Sequence, residues 1–195
     1  MTPDQALRRT VLIVMLLNLG YFGIEFTAAL RSNSVALFAD SADFLEDAAI
    51  NLLIFVAIGW TAANRARAGL VLAAMLLIPA AAFVWTLFHK YTAPLPPDAT
   101  TITLIGLGAL AVNLTCALLL ARHRKEQGSL TRAAFLSSRN DALGNIAIIG
   151  AGAVTLIAPS IWPDIIVGLG IALLNLDAAH DVWVAARAEQ TDPAA

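Results

Sequence analysis

The sequence predicts an all-α membrane protein of six transmembrane helices with both termini cytoplasmic. Three observations carry that prediction. The 195-residue chain is 59% hydrophobic and 13% charged, with a mean hydropathy of +0.76. Soluble domains run at ~45–50% apolar and ~25% charged, so the apolar surface here is too large for a soluble core to hide. Six stretches approach the ~20 apolar residues that a bilayer-crossing helix needs. When the six alternate, the cationic residues fall almost entirely on one side.

The spans are placed near Val11–Leu30, Val35–Ala62, Ala68–Phe88, Thr101–Ala121, Ala133–Ile157 and Ile161–Ala185. Turn chemistry separates them: Arg31-Ser-Asn-Ser, Asn64-Arg-Ala-Arg, Pro94-Leu-Pro-Pro, Arg122-His-Arg-Lys and Ala158-Pro-Ser. The first apolar run is long and no A-x-A-like site follows it, so it reads as a retained helix and not a cleaved signal. Pro79 falls inside the third span and would kink it. Arg8, Arg9, Arg65, Arg67, Arg122, Arg124, Lys125, Arg132 and Arg187 lie on one side, against Arg31 and Lys90 on the other. That asymmetry places the termini in the cytoplasm. The expected organisation is residues 1–10 as a cytoplasmic N-terminus, 11–185 as the helical domain and 186–195 as a short polar tail. A single cysteine, Cys116, excludes an intramolecular disulfide and reads as a small packed side chain.

The second span is unusual. Its sequence, SVALFADSADFLEDAAINLLIFVAIGW, carries Asp40, Asp43, Glu46 and Asp47. Each ionisable group near a bilayer centre costs roughly 3 kcal/mol on insertion scales, so a compensating cavity, counter-charge or cation is required. At about 100° per residue, Asp40, Asp43 and Asp47 share a stripe about 60° wide, while Glu46 sits about 100° round from Asp47 and is expected to point elsewhere. Asp43 and Asp47 stack one turn apart. Like charges this close repel unless a proton or cation neutralises them, and oxygen pairs at this spacing suit a divalent ion.

The fifth span holds a second polar face, Ser137, Asp141 and Asn145, at i, i+4 and i+8. Arg139 points about 160° from Asp141. Counting ~1.5 Å per residue, Asp47 and Asp141 fall at about the same depth on their antiparallel helices. Two acidic faces at one level, with one Arg nearby, leave excess negative charge. A metal or proton pathway accounts for that better than structural pairing.

Four motifs stand out: NLGYFGIEF from Asn18, SNSVALFADSADFLED from Ser32, RAAFLSSRNDALGN from Arg132 and WPDIIVGLGIALL from Trp162. In these motifs the sequence resembles the cation diffusion facilitator family of proton-coupled divalent-metal transporters. The resemblance implies a tetrahedral metal site of Asp43 and Asp47 with Ser137 and Asp141. Ser137 stands where zinc-transporting members commonly carry His or Asp, and a neutral hydroxyl is a weak ligand. Ser138 or Asn145 is then an alternative oxygen donor. The resemblance further implies export of a divalent cation (Zn, Co, Cd, Fe or Mn) against protons by alternating access, a homodimer, and a bacterial inner-membrane location. It implies no permanently bound cofactor and no nucleic-acid partner. The family's usual cytoplasmic metal-binding domain has no counterpart in this sequence, which reads as a short form. A metal-binding or sensing protein with reduced or lost transport is the second reading. An enzyme is not indicated: no Ser/His/Asp set, zinc-protease motif or phosphate-cradling Gly loop occurs.

Accessory positions carry paired readings. Asp40 is a proton carrier or gate, or a cap-like residue. Glu25 and Asn18 line an outward cavity or make an interhelical hydrogen bond. Asp177, His180 and Asp181 form a metal-entry cluster or a solvated helix end. Asp164, after Pro163, is expected to serve the N-terminus of its own helix. Trp60, Trp85, Trp162 and Trp183 are expected at the membrane interfaces.

Overall fold

A computed structural model describes residues 3–57, 81, 83–92, 94–122 and 128–174. All regular structure among them is helical. Helix α1 runs Pro3–Ser32 and α2 Val35–Ala57. A further helix, α3, covers residues 83–92. Helices α4, Ala99–Ala121, and α5, Gly128–Ile157, follow, and α6 covers Trp162–Leu174. Three stretches are long and apolar enough to cross a membrane: Gln5–Ser32, Ala99–Ala121 and Ser137–Ile157. With 23 residues, α2 is ~35 Å long and matches them in length. Its four acids are what set it apart.

Each boundary has a local cause. Asn33 adopts a left-handed φ of 54°, a conformation that Asn tolerates better than other side-chain-bearing residues. The Ser34 N–H then donates back to the Ala29 carbonyl at 3.3 Å, closing α1 in a Schellman-type stop. Two residues, 33 and 34, thus reverse the chain. Ser34 caps α2: its Oγ accepts from the Leu37 N–H at 3.2 Å. Asp98 caps α4 in the same way, accepting from the N–H groups of Thr100 and Thr101. The Thr101 hydroxyl beside it holds this carboxyl below its ordinary value.

Helices α1, α2, α5 and α4 close a four-membered ring, each packed on the next. Small residues permit the close approaches, as is usual between helices in lipid. A side chain at Gly152 would meet the Thr103 hydroxyl, and one at Gly168 would meet the α2 backbone at Val35 and Ala36.

The burial pattern is that of a membrane bundle. On α1, Asn18 and Glu25 are 0% exposed while Leu16 and Ile24 are 55% and 54% exposed. Polar groups face inward and large apolar ones outward, the reverse of a soluble helix. Two apolar clusters divide the interior. One, near the α1–α2 turn, gathers Ala29, Leu37, Phe38, Ile102 and Ile148. The other gathers Leu7, Val11, Val14, Cys116 and Leu120. Cys116 is a packed side chain, as expected. Between the two clusters lies a layer of buried polar groups.

Two residues differ from expectation. Asp164 does not cap its own helix. Its carboxylate accepts from the N–H groups of Val35 at 2.8 Å and Ala36 at 3.2 Å, and from the Ser34 hydroxyl at 2.5 Å. It therefore satisfies the free N–H groups that open α2. Lys90, counted in the sequence only as a loop charge opposite the basic side, is fully buried and ion-paired with Asp164. A buried carboxylate needs such a partner.

Candidate metal site

The polar layer is organised by the antiparallel register of α2 and α5. Asn145 Nδ2 donates to Asp40 Oδ2 at 2.7 Å. Seven residues further along α2, Asp47 accepts from Ser137 Oγ at 2.9 Å and Ser138 Oγ at 3.1 Å. Asp43 lies between these ties on α2, as Asp141 does on α5, which brings the two acids to one level.

A cavity of about 410 Å³ opens there, between α2, α5 and α6. Its polar wall is Asp43, Glu46, Ser137, Asn140 and Asp141, and Ile171 of α6 stands among its apolar lining. Glu46 is a correction: it was expected to point away. The angular reckoning compared it with Asp47, but Glu46 follows Asp43 at i+3 and lies only about 60° from it. The cavity is centred on the Asp43–Glu46 side of the stripe. Asp47 instead turns into the bundle, and each of its oxygens takes one serine hydroxyl. Among the described residues no three His, Cys, Asp or Glu side chains converge tightly enough to hold a metal ion.

The electrostatics are one-sided. Asp40, Asp43, Glu46, Asp47 and Asp141 lie within this layer, and Glu25 joins them from α1. Among the described residues the only ion pair is Lys90–Asp164 at the turn end. Arg139 is exposed and donates to Asn140 at 3.3 Å. No described cation offsets the acids.

The remaining predicted residues fall as follows. Asn145 is fully committed, since its Oδ1 accepts from Asn113 Nδ2 at 3.0 Å while its amide holds Asp40. Asn18 donates to the Val14 carbonyl at 3.0 Å and to Cys116 Sγ at 3.7 Å, an interhelical contact. Glu25 is buried with neither oxygen bonded. Trp85 and Trp162 are largely exposed, as interfacial anchors would be. Asp177, His180, Asp181, Trp60 and Trp183 lie outside the described residues. Sequence reasoning missed Asn113 and Asn51. Asn113 is a lone amide in an otherwise apolar span, and the rule that flagged the acids flags it too. Asn51 donates to the Asp47 carbonyl at 2.8 Å. A larger groove of about 620 Å³ between α1 and α4 carries no acid and is mostly apolar-walled, so the chemistry is not there.

Outward apolar faces around a buried acidic layer that no described cation offsets mark an integral membrane protein. Residues 11–187 match the cation efflux transmembrane domain, nearly the whole chain. The chain belongs to that family, the cation diffusion facilitators. Over 137 residues it is 27% identical to the zinc transporter ZitB of Yersinia pseudotuberculosis serotype I (strain IP32953), a match covering 64% of this chain and 44% of that relative. The chain thus spans less than half the length of that relative.

Proposed function

We propose that this protein exports a divalent metal cation in exchange for protons, by alternating access around the α2–α5 cavity. The observation that carries the reading is the cavity itself: Asp43, Glu46 and Asp141 share one wall with no described cation beside them. An incoming ion meets Asp43 and Asp141 first. Asp47 completes the set by turning from its two serines, and Ser137 then acts as the group that orients Asp47 more than as a ligand. Carboxylate oxygens favour hard or borderline ions, which keeps zinc, cobalt, cadmium, iron and manganese all within the substrate class. Protons arriving from the far side compete for the same carboxylates and release the metal, because protonation removes the ligand charge. Both termini are placed in the cytoplasm and the protein in a bacterial inner membrane, as a homodimer. Positive-inside charge and the bacterial relative support the location, and the family resemblance alone supports the dimer.

The test is equilibrium binding of zinc and manganese to purified protein by calorimetry. One saturable site per chain is expected, lost in Asp43→Asn and in Asp141→Asn. Unchanged binding in both variants would sink the assignment. A second reading, binding without turnover, is favoured by the hold of Ser137 and Ser138 on Asp47. Ser137→His separates the two: zinc transport gained only in that variant supports the second reading.

A further inference from the structure

Apart from the cavity, the polar layer contains a second pair of acids. Glu25 of α1 is 0% exposed and Asp40 of α2 is 1% exposed. They stand carboxyl to carboxyl, within hydrogen-bonding reach. Three of their four oxygens, both of Glu25 and Oδ1 of Asp40, have no donor. The fourth is held by Asn145, which Asn113 holds in turn, so the Asp40 carboxyl is fixed in place. Among the described residues, every titratable neighbour that faces the pair is neutral or acidic: Tyr21 from α1, Asp43 from α2 and Asp141 from α5. The described residues of α4 add only the amide of Asn113. Tyr21 is no donor to the pair, because its hydroxyl is spent on the Ile105 carbonyl at 2.5 Å.

Two carboxylates in contact accept hydrogen bonds and cannot donate them. Buried together with one neutral amide as their only donor, they carry an uncompensated charge that the interior does not tolerate. One proton between them removes one charge and converts two facing acceptors into a donor–acceptor pair, a short charge-assisted bond. We propose that Glu25 and Asp40 form a proton-binding site distinct from the metal cavity, holding a single shared proton. The proton lies between O atoms of the two carboxyls, arrives from water and returns to it, and no other bond is made or broken. Asp40 stands three residues, about 4.5 Å of helix rise, from Asp43. A divalent ion at Asp43 and Asp141 repels the shared proton, and its departure couples the two sites. Only this last step rests on the transport reading; the site itself does not.

The test is infrared spectroscopy of the full chain in lipid at neutral pH, following the carbonyl stretch of protonated carboxyls. The wild type is expected to show one band that Glu25→Gln and Asp40→Asn each remove, while Asp47→Asn leaves it. If Asp40→Asn fails to fold, the isosteric Glu25→Gln decides alone. Persistence of every wild-type band in Glu25→Gln overturns the proposal. So does a band that appears only when sodium or potassium is replaced by choline, since the pair would then be a metal-cation site. Saturating zinc is expected to abolish the band and release one proton more from the wild type than from Glu25→Gln; a band surviving a calorimetrically confirmed zinc load overturns the coupling. A chain that binds neither zinc nor manganese yet shows the band supports the proton site and sinks the transport reading instead.

Discussion

Asp164→Ala is the most informative stability perturbation. One carboxylate receives four donors: the N–H groups of Val35 and Ala36, the Ser34 hydroxyl and the Lys90 ammonium. Removing it strands a fully buried cation, and breaking a buried pair by deleting one partner costs about 3–5 kcal/mol. It also takes the acceptor from the Val35 and Ala36 N–H groups that open α2, at about 1 kcal/mol, although Ser34 still caps Leu37. The sum is roughly 4–6 kcal/mol, part of which water entering that end of the bundle would recover. Lys90→Met leaves Asp164 with three donors in place, so it should cost less. Asp164→Asn should fall between wild type and Asp164→Ala, because the amide oxygen still accepts. The assay is reversible unfolding of the purified protein in mixed micelles, with the three variants side by side. The expected order of destabilisation is Asp164→Ala above both Asp164→Asn and Lys90→Met. A loss under about 1 kcal/mol for Asp164→Ala would refute the reasoning, as would Lys90→Met costing more than Asp164→Ala.

Three further outcomes follow from the same geometry. Gly168→Ala places a methyl carbon 2.8 Å from the α2 backbone at Ala36, which only movement of α6 or α2 relieves; overpacking of this kind costs about 1–3 kcal/mol, read as a lowered unfolding midpoint. Asn113→Ala leaves Asn145 Oδ1 buried without its donor, a loss of about 1–3 kcal/mol in the same assay, whereas Asn113→Asp should be worse because it adds a seventh acid to the layer. Ser137→Ala frees one Asp47 oxygen; removal of an orienting partner typically changes metal affinity by about 10–100-fold, measured by calorimetry, and an unchanged affinity would show that Ser137 orients nothing.

What was readable in the sequence was whatever depends on neighbours along the chain. The reversal at Ser32-Asn-Ser is local turn chemistry, and α2 begins at Val35 as expected. Rise per residue alone put Asp47 and Asp141 at about one depth; the ties Asp40–Asn145 and Asp47–Ser138 set Asp141 level with Asp43 instead, and Asp47 about one turn further along α2. What was not readable depends on partners far along the chain. Asp164 serves an N-terminus 129 residues away, and a Pro-Asp pair at a helix start gives no hint of it. Lys90 looked like an interfacial charge because nothing local marks its partner. Glu46 was misjudged because helix angles relate acids to one another and not to the neighbouring helices. The direction of the cavity decides which acids it sees, and that is a property of how α2, α5 and α6 pack.

The central claim is that the acids of the α2–α5 cavity carry a divalent cation across the membrane against protons. Its most direct test is metal-driven proton flux in proteoliposomes loaded with a pH-sensitive dye, with zinc and manganese supplied in turn. Wild-type protein should move protons only when metal is added, and Asp43→Asn and Asp141→Asn should each abolish that flux while remaining folded. Flux that survives both substitutions, or proton movement in the wild type that ignores the metal, would contradict the account.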